Sequence, residues 1–287
     1  MRPIAELKQD FEVTKGLEDI VDVLKTAAMI QFRSFQFKEK PNGIFIKELE
    51  NCLLTVRRTG YVKHPYFFDR KNMPSMVVAV TSDEGFLGEL NTLLINASID
   101  QRKSAADEIV VLGERGARYL EDMDQRHTPY PGISDDIKYA EVERIRDYVL
   151  DSYKKKFGRV VIVYPQFVSL TSQKVTVFQL CPFQFSNEQE KLFGNLRPSE
   201  EEVLIEPSAY RVLECLIEMW AGFTLLNMLW SAKQSEFAAR IMHLEGSTQE
   251  LAHMKQKLSF EYFRQVHSLR DKVIREISAS KILLNKN

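Results

Sequence analysis

One glycine-containing turn in this chain has the look of a phosphate cradle. It follows the β-branched run at 76–81 and carries Gly85 and Gly88 between the acidic Glu84 and Glu89. A dinucleotide fingerprint needs a third glycine, and a mononucleotide loop needs Gly-Lys followed by Ser or Thr. Neither is present, and the two glutamates would repel a phosphate that a helix N-terminus otherwise attracts. The turn therefore reads as a strand-to-helix connection, with Asp83 expected to cap the helix that follows. The histidines (His64, His127, His243, His253 and His267) do not fall at metal-ligand spacing, so no metal site is expected. Cys52, Cys181 and Cys215 lie far apart, which fits a reducing compartment better than a disulfide framework. No serine or cysteine sits in a nucleophile elbow. Neither catalytic residues nor a cofactor are expected.

Bulk properties narrow the field further. A formal net charge of −1 argues against a nucleic-acid partner held by phosphate neutralisation. No apolar run reaches 18 residues, and the start lacks a basic-then-apolar pattern. The chain is thus expected neither to span a membrane nor to carry a secretory signal.

The elements that would position these residues follow from hydrophobic period. Ile4, Leu7, Phe11, Leu17, Ile20, Leu24, Ala28 and Phe32 recur at threes and fours and predict a helix over 3–40. Gly16 weakens it by about 1 kcal/mol relative to alanine. Pro41, Asn42 and Gly43 should end or kink it, with helix resuming over 44–57. Strands are predicted at 76–81, 108–112, 160–163, 175–180 and 202–206. Helices are predicted at 89–100, 115–123 and 139–157, and 125–136 reads as a loop. This alternation implies an α/β fold with a mostly open sheet. The segments divide as an N-terminal helical part (1–58), a Rossmann-like α/β domain (73–206) and a C-terminal long helix (208–287).

That last segment is unusual. Residues 208–284 contain no proline and only Gly222 and Gly246. A continuous helix of this extent would be roughly 115 Å long, about twice the ~57 Å of the first helix. Leu251, Met254, Leu258, Tyr262, Val266, Leu269, Val273 and Ile277 form one stripe with a repeat near ~3.7, which predicts a nearly straight helix. Leaving these eight in water forgoes on the order of 10–20 kcal/mol before entropy. The N-terminal helix, packed antiparallel as a coiled coil, would cover part of the stripe, and a separate protein would cover the rest. Upstream, Trp220, Phe223 and Trp230 are expected to seat the helix on the sheet domain.

Four stretches, in order, carry a family resemblance. Glu6, Leu7, Lys8, Phe11, Ile20, Leu24, Lys25, Ala28 and Arg33 fit one pattern in the first helix. The turn Thr81-Ser82-Asp83-Glu84-Gly85-Phe86-Leu87-Gly88-Glu89-Leu90-Asn91-Thr92 looks like S-D-R-G-L-C-G-G-L-N-T. A third stretch holds Tyr164, Phe167, Ser172-Gln173-Lys174, Thr176, Gln179-Leu180 and Pro182. The fourth is Ser235-Glu236-Phe237-Ala238-Ala239-Arg240. Together, over nearly the full length, these resemble the gamma subunit of F-type ATP synthases, the central rotor shaft.

The resemblance implies a non-catalytic subunit whose terminal helices turn inside a ring of alpha and beta subunits. Its sheet domain would meet the epsilon subunit and the c-ring, on the cytoplasmic side of the inner (plasma) membrane. It also implies candidate torque or head contacts at Leu24, Lys25, Arg33, Arg240, Arg264, Gln265, Val266 and His267, and a signature loop built on Ser82, Asp83, Gly85, Gly88 and Asn91. Some positions depart from the family. Val266 and His267 fall where its Arg-Gln pair grips the beta subunits, and Arg264-Gln265 lies two residues early, about 200° around the helix. Glu84 stands for a basic residue and Glu89 for a glycine. Acidic residues also offset the first helix's positive charge. These departures leave a second reading, a gamma-like shaft in a specialised or non-rotary ATPase assembly. On the stripe argument, Val266→Asp is expected to disturb head coupling or shaft packing more than His64→Ala, because only Val266 lies on the stripe.

Overall fold

The computed structural model describes residues 2–37, 43–60, 64–68, 70, 72–184 and 204–284. In chain order it has α1 (Ile4–Phe37), α2 (Gly43–Gly60), a short 3-10 turn (Pro65–Phe67), β1 (Ser75–Val80), α3 (Leu90–Asp100), β2 (Glu108–Leu112) and α4 (Glu114–Asp122). Then come β3 (Thr128–Tyr130), α5 (Tyr139–Lys155), β4 (Arg159–Ser169), β5 (Ser172–Cys181) and α6 (Ala209–Leu284). The architecture is α/β, with long N- and C-terminal helices bracketing a mixed sheet.

Three readings change. The expected loop at 125–136 contains β3, which pairs parallel to β2 as the outer strand. Three residues are too few to show a period, and Pro129 is tolerated there because an edge strand has a free side. Pro41 and Asn42 of the expected kink lie outside the described residues, as do residues 202 and 203 of the expected last strand. Residues 204–206 are not strand. Finally, β4 and β5 run well beyond their apolar cores, because antiparallel pairing continues through their polar outer halves to Ser169 and Ser172.

The chain divides into two compact units. The larger runs from Phe32 to Arg240 and is built on a five-stranded sheet ordered β3-β2-β1-β4-β5. The first four strands are parallel and β5 is antiparallel. Period-2 alternation sends side chains to two cores. Met76, Val78 and Val80 face one core, with α2, α5 and the first part of α6. Val77 and Ala79 face the other, with α3 and α4. Within the first core, Trp220 meets Phe183 edge-on at 4.5 Å and donates its indole N–H to Glu50 Oε1 at 3.1 Å. Phe223 instead meets Phe45 of α2 and Tyr139 of α5, and Trp230 lies on Phe35 of α1 at 4.2 Å. Trp220 and Phe223 thus seat the helix on the sheet domain, Phe223 through Tyr139 of α5. Trp230 instead joins α6 to α1.

The smaller unit pairs α1, up to Gln31, with α6 from Ile241 onward. The helices are antiparallel, since partners fall in number on α1 as they rise on α6. Lys25 bridges to Glu245 at 3.2 Å, Asp22 accepts from Thr248 at 3.3 Å, and Glu18 pairs with Lys255. Leu7 is fully buried and Leu258 nearly so. The rest of the stripe is only half covered: Met254, Leu269, Val273 and Ile277 each remain about 50% exposed. On α1, Val13, Leu17, Ile20 and Val23 are also exposed.

A stretch of α6 is apolar enough over 18 residues to cross a bilayer by length and composition, and half of it is buried within the protein.

Candidate functional site

The turn after β1 is held from three directions. Ser82 and Asn91 bind each other: the Ser82 amide donates to Asn91 Oδ1 at 3.3 Å, and Asn91 Nδ2 donates to Ser82 Oγ at 2.9 Å. Ser82 Oγ in turn donates to the Glu84 carbonyl at 2.9 Å. Gly88 takes φ 56°, a left-handed conformation that glycine adopts without a Cβ penalty, and Phe86 holds φ 63° beside it. Gly85 packs under Arg115, whose guanidinium would lie 3.1 Å from any added Cβ.

Asp83 does not cap α3. Its Oδ1 accepts the backbone N–H of Glu114 at 3.0 Å, in the first turn of α4, while Glu89 at the start of α3 makes no side-chain cap bond. The turn is drawn to α4 because that helix begins on small residues. Gly113 has φ 103°, and Cβ atoms at Gly116 and Gly132 would come 2.3 Å from Thr81 Oγ1 and 1.9 Å from Asp83 Oδ2. A carboxylate of the chain itself therefore stands at the start of α4, where the helix dipole would otherwise favour an incoming anion.

Across the turn lies a run of charge on α6. Lys233 pairs with Glu236 at 3.0 Å and with Asp135 at 3.2 Å. Arg240 pairs with Glu236 and Glu84, both at 2.9 Å, and its Nε donates to the Gly85 carbonyl at 3.4 Å. Lys233, Glu236 and Arg240 are all buried. Burial opposes the charge on Lys233, but Glu236 and Asp135 outweigh it and hold the ammonium's pKa above its ordinary value. Glu84, which stands for a basic residue in the resembling family, thus has a partner of its own.

The candidate contact residues are spread over both units. Arg240 is buried in the larger one, where Arg33 is exposed. In the smaller unit Leu24, Arg264 and His267 are exposed, and Gln265 and Val266 are half-buried. Val266 lines an apolar hollow with Ile4, Leu269, Val273 and Ile274. Lys25 is half-buried and also pairs with Asp22 at 3.1 Å. Sequence reasoning missed Lys233 and Asp135. The three- and four-residue spacing of Lys233, Glu236 and Arg240 puts them on one helix face, but nothing local links that face to Asp135.

His64, off the stripe, lies in the larger unit. Its side chain is buried, its ring lies 4.5 Å from that of Tyr210, and its Nδ1 accepts from the Tyr66 amide at 3.4 Å. Nε2 is buried without a hydrogen-bond partner. His64→Ala would therefore open a buried aromatic cluster.

An α/β sheet domain bracketed by two long helices that pair antiparallel defines a recognisable class, and comparison with known proteins agrees. A family model described as ATP synthase matches residues 4–276. The ATP synthase gamma chain of Halothermothrix orenii is 25% identical over 283 residues, covering 96% of this chain and 97% of that one. The gamma chain of Pelotomaculum thermopropionicum is 24% identical over 282 residues, with the same coverage. Among solved structures, a chain of the Euglena gracilis mitochondrial ATP synthase (OSCP/F1/c-ring, rotational state 3) superposes with a TM-score of 0.68 at 17% identity. It covers 98% of this chain and 94% of its own. A chain of the Tetrahymena thermophila mitochondrial ATP synthase central stalk and c-ring gives 0.51 at 17% identity, covering 82% of this chain and 99% of its own. These likenesses establish the fold. The chain belongs to the ATP synthase family, and its curated relatives there are gamma chains.

Proposed function

We propose that this chain is the central rotor shaft of a proton-translocating F-type ATP synthase. It binds no nucleotide itself and couples rotation of the c-ring to conformational change at the catalytic beta subunits. The observation that carries the reading is the half-exposed apolar stripe of α6 from Met254 to Ile277, which α1 alone does not cover. Within a ring of alpha and beta subunits that surface is sheathed, and the part near Ile274 turns against an apolar sleeve without fixed polar bonds. As the shaft turns, its asymmetric faces meet three catalytic sites in succession. The affinity of each for nucleotide changes with the face presented, a coupling between sites through a moving rigid element.

Functionally the chain is taken as three parts: 1–58 and 208–287 as the helical shaft, and 73–206 as the domain that meets the epsilon subunit and the c-ring. Leu24, Lys25, Arg33, Arg264, Gln265, Val266 and His267 are the proposed head contacts, with Arg240 and the Ser82–Asn91 turn bracing the shaft. The complex is placed on the cytoplasmic side of the inner membrane, with this chain peripheral to it.

The test is co-purification of the tagged full-length chain from its own cells. Recovery of alpha, beta, epsilon and c subunits together with ATPase activity supports the rotor reading. A chain recovered with alpha and beta but never with the c-ring supports a gamma-like shaft in a non-rotary assembly instead.

A further inference from the structure

The order β3-β2-β1-β4-β5 reverses direction between β1 and β4, since the chain builds outward through β2 and β3 and returns to the other side of β1. In open α/β sheets, the crevice beyond the carboxyl ends of the strands at that reversal is where ligands bind. Here the place is filled by α6. Its residues Leu213 to Ala232 pack on one face of the sheet, and Ala239 reaches the core of the other face, so the helix crosses the strand ends between them. At the crossing the Phe167 amide donates to Ser231 Oγ at 2.9 Å, and Ser235 Oγ donates to the Pro165 carbonyl at 3.1 Å. Lys233 and Glu236 pair at 3.0 Å immediately beside these contacts. The cavity that remains between Val80, Thr81, Pro165 and these two side chains measures about 20 Å³, room for one water.

A buried ion pair is a poor way to gain stability, because well-packed apolar residues of similar volume do as well or better. Lys233 and Glu236 lie on the same helix and move together, so register comes from what crosses to the sheet domain: Lys233 to Asp135, Ser231 to the Phe167 amide and Ser235 to the Pro165 carbonyl. A slip of one residue turns a helix by about 100° and would separate Ser231 from Phe167, Ser235 from Pro165 and Lys233 from Asp135. Hydrophobic packing alone is non-directional and penalises such a slip far less.

We infer that the crevice at the strand ends has become a register key: Ser231 and Ser235 against β4, and Lys233 against Asp135, fix the angle of α6 on the sheet domain, with Glu236 balancing the Lys233 charge, so that rotation delivered to that domain passes into the shaft helix at constant phase. These are positioning residues. The inference rests on the rotor reading above, and on it the key matters under load and little at rest.

The experiment uses the assembled, membrane-bound complex carrying Lys233→Met with Glu236→Leu, and separately Ser231→Ala with Ser235→Ala. ATP hydrolysis, ATP-driven proton pumping and thermal stability are measured on each. The ion-pair double variant leaves the buried Arg240 with Glu84 as its remaining carboxylate and is expected to melt somewhat below wild type, to hydrolyse ATP, and to lose most of its pumping per ATP hydrolysed. The serine double variant, which removes two hydrogen bonds and little volume, is expected to lose part of it. Wild-type pumping per ATP in both variants overturns the key. If the ion-pair variant fails to assemble, the serine variant alone decides by the same ratio. Failure of the wild-type chain to assemble with a c-ring would instead overturn the rotor reading, independently of either variant.

Discussion

The same helix behaves in two ways along its length. Between Leu213 and Arg240, α6 is largely buried: most of its apolar residues lie in cores shared with the sheet and its helices, Trp230 and Phe237 pack on Phe35 of α1, and even Lys233, Glu236 and Arg240 are buried and paired within the chain. Beyond Ile241 it pairs with α1, its ion pairs are partly exposed, and its stripe is half in water. The first stretch is finished by its own fold. The second is left for another surface to complete. Burial here separates what holds the protein together from what it offers to others.

Four experiments break or sharpen that contrast. Glu236→Ala strikes the buried stretch hardest, because it leaves the buried Lys233 with only the half-exposed Asp135. A loss of about 3–5 kcal/mol is expected in denaturant melts of the full-length chain. A melt unchanged from wild type would mean that the pair is solvated after all. Gly116→Ala comes next. Its methyl would sit 2.6 Å from Thr81 Cγ2, so about 1–3 kcal/mol is expected from overpacking between the signature turn and α4. The same change paired with Thr81→Ser should recover part of the loss.

A pH dependence at His64 follows. Burial lowers its pKa, Glu214 raises it and Lys154 lowers it, for a net depression below the ordinary value. Above about 6.5 the imidazole is neutral in both folded and unfolded chains and contributes no difference. As the pH falls below that, the unfolded chain takes up the proton first, and stability declines toward the depressed folded value. His64→Gln should flatten this part of the stability–pH curve, and an equal slope in both proteins would remove His64 as the cause. The smallest effect on stability is expected from Leu269→Ser on the exposed stripe, within about 0.5 kcal/mol. Recovery of alpha and beta subunits with the tagged chain should nevertheless fall. A large drop in melting temperature for this variant would show that the stripe is already covered.

Much of the fold was legible before any coordinates. Periodicity located β1, β2, α3, α4 and α5 within a residue or two, because each is long enough to show a period and is bounded by a turn. β3 was not legible, because three residues around Pro129 carry no pattern and their strand character comes from β2 beside them. Of the signature turn, the pairing of Ser82 with Asn91 brings together residues only nine apart. The true partner of Asp83 lies 31 residues away and depends on small residues at Gly113, Gly116 and Gly132 meeting the turn in space. The roles of Glu84 and Asp135 were hidden for the same reason. Each is an ordinary surface acid until α6 crosses the sheet beside it.

Sequence by itself determined which segments are helix or strand, that one helix runs far longer than a compact domain needs, and that no phosphate-loop chemistry accompanies the glycine turn. Those properties arise from neighbours within a few residues, where backbone preference and apolar spacing act. Tertiary structure alone decided that the long helix fills the sheet's ligand crevice, that its central charges are paired there, and how far along it the apolar stripe stays wet. Each of these depends on groups distant in the chain sharing one low-dielectric space, which no local pattern encodes.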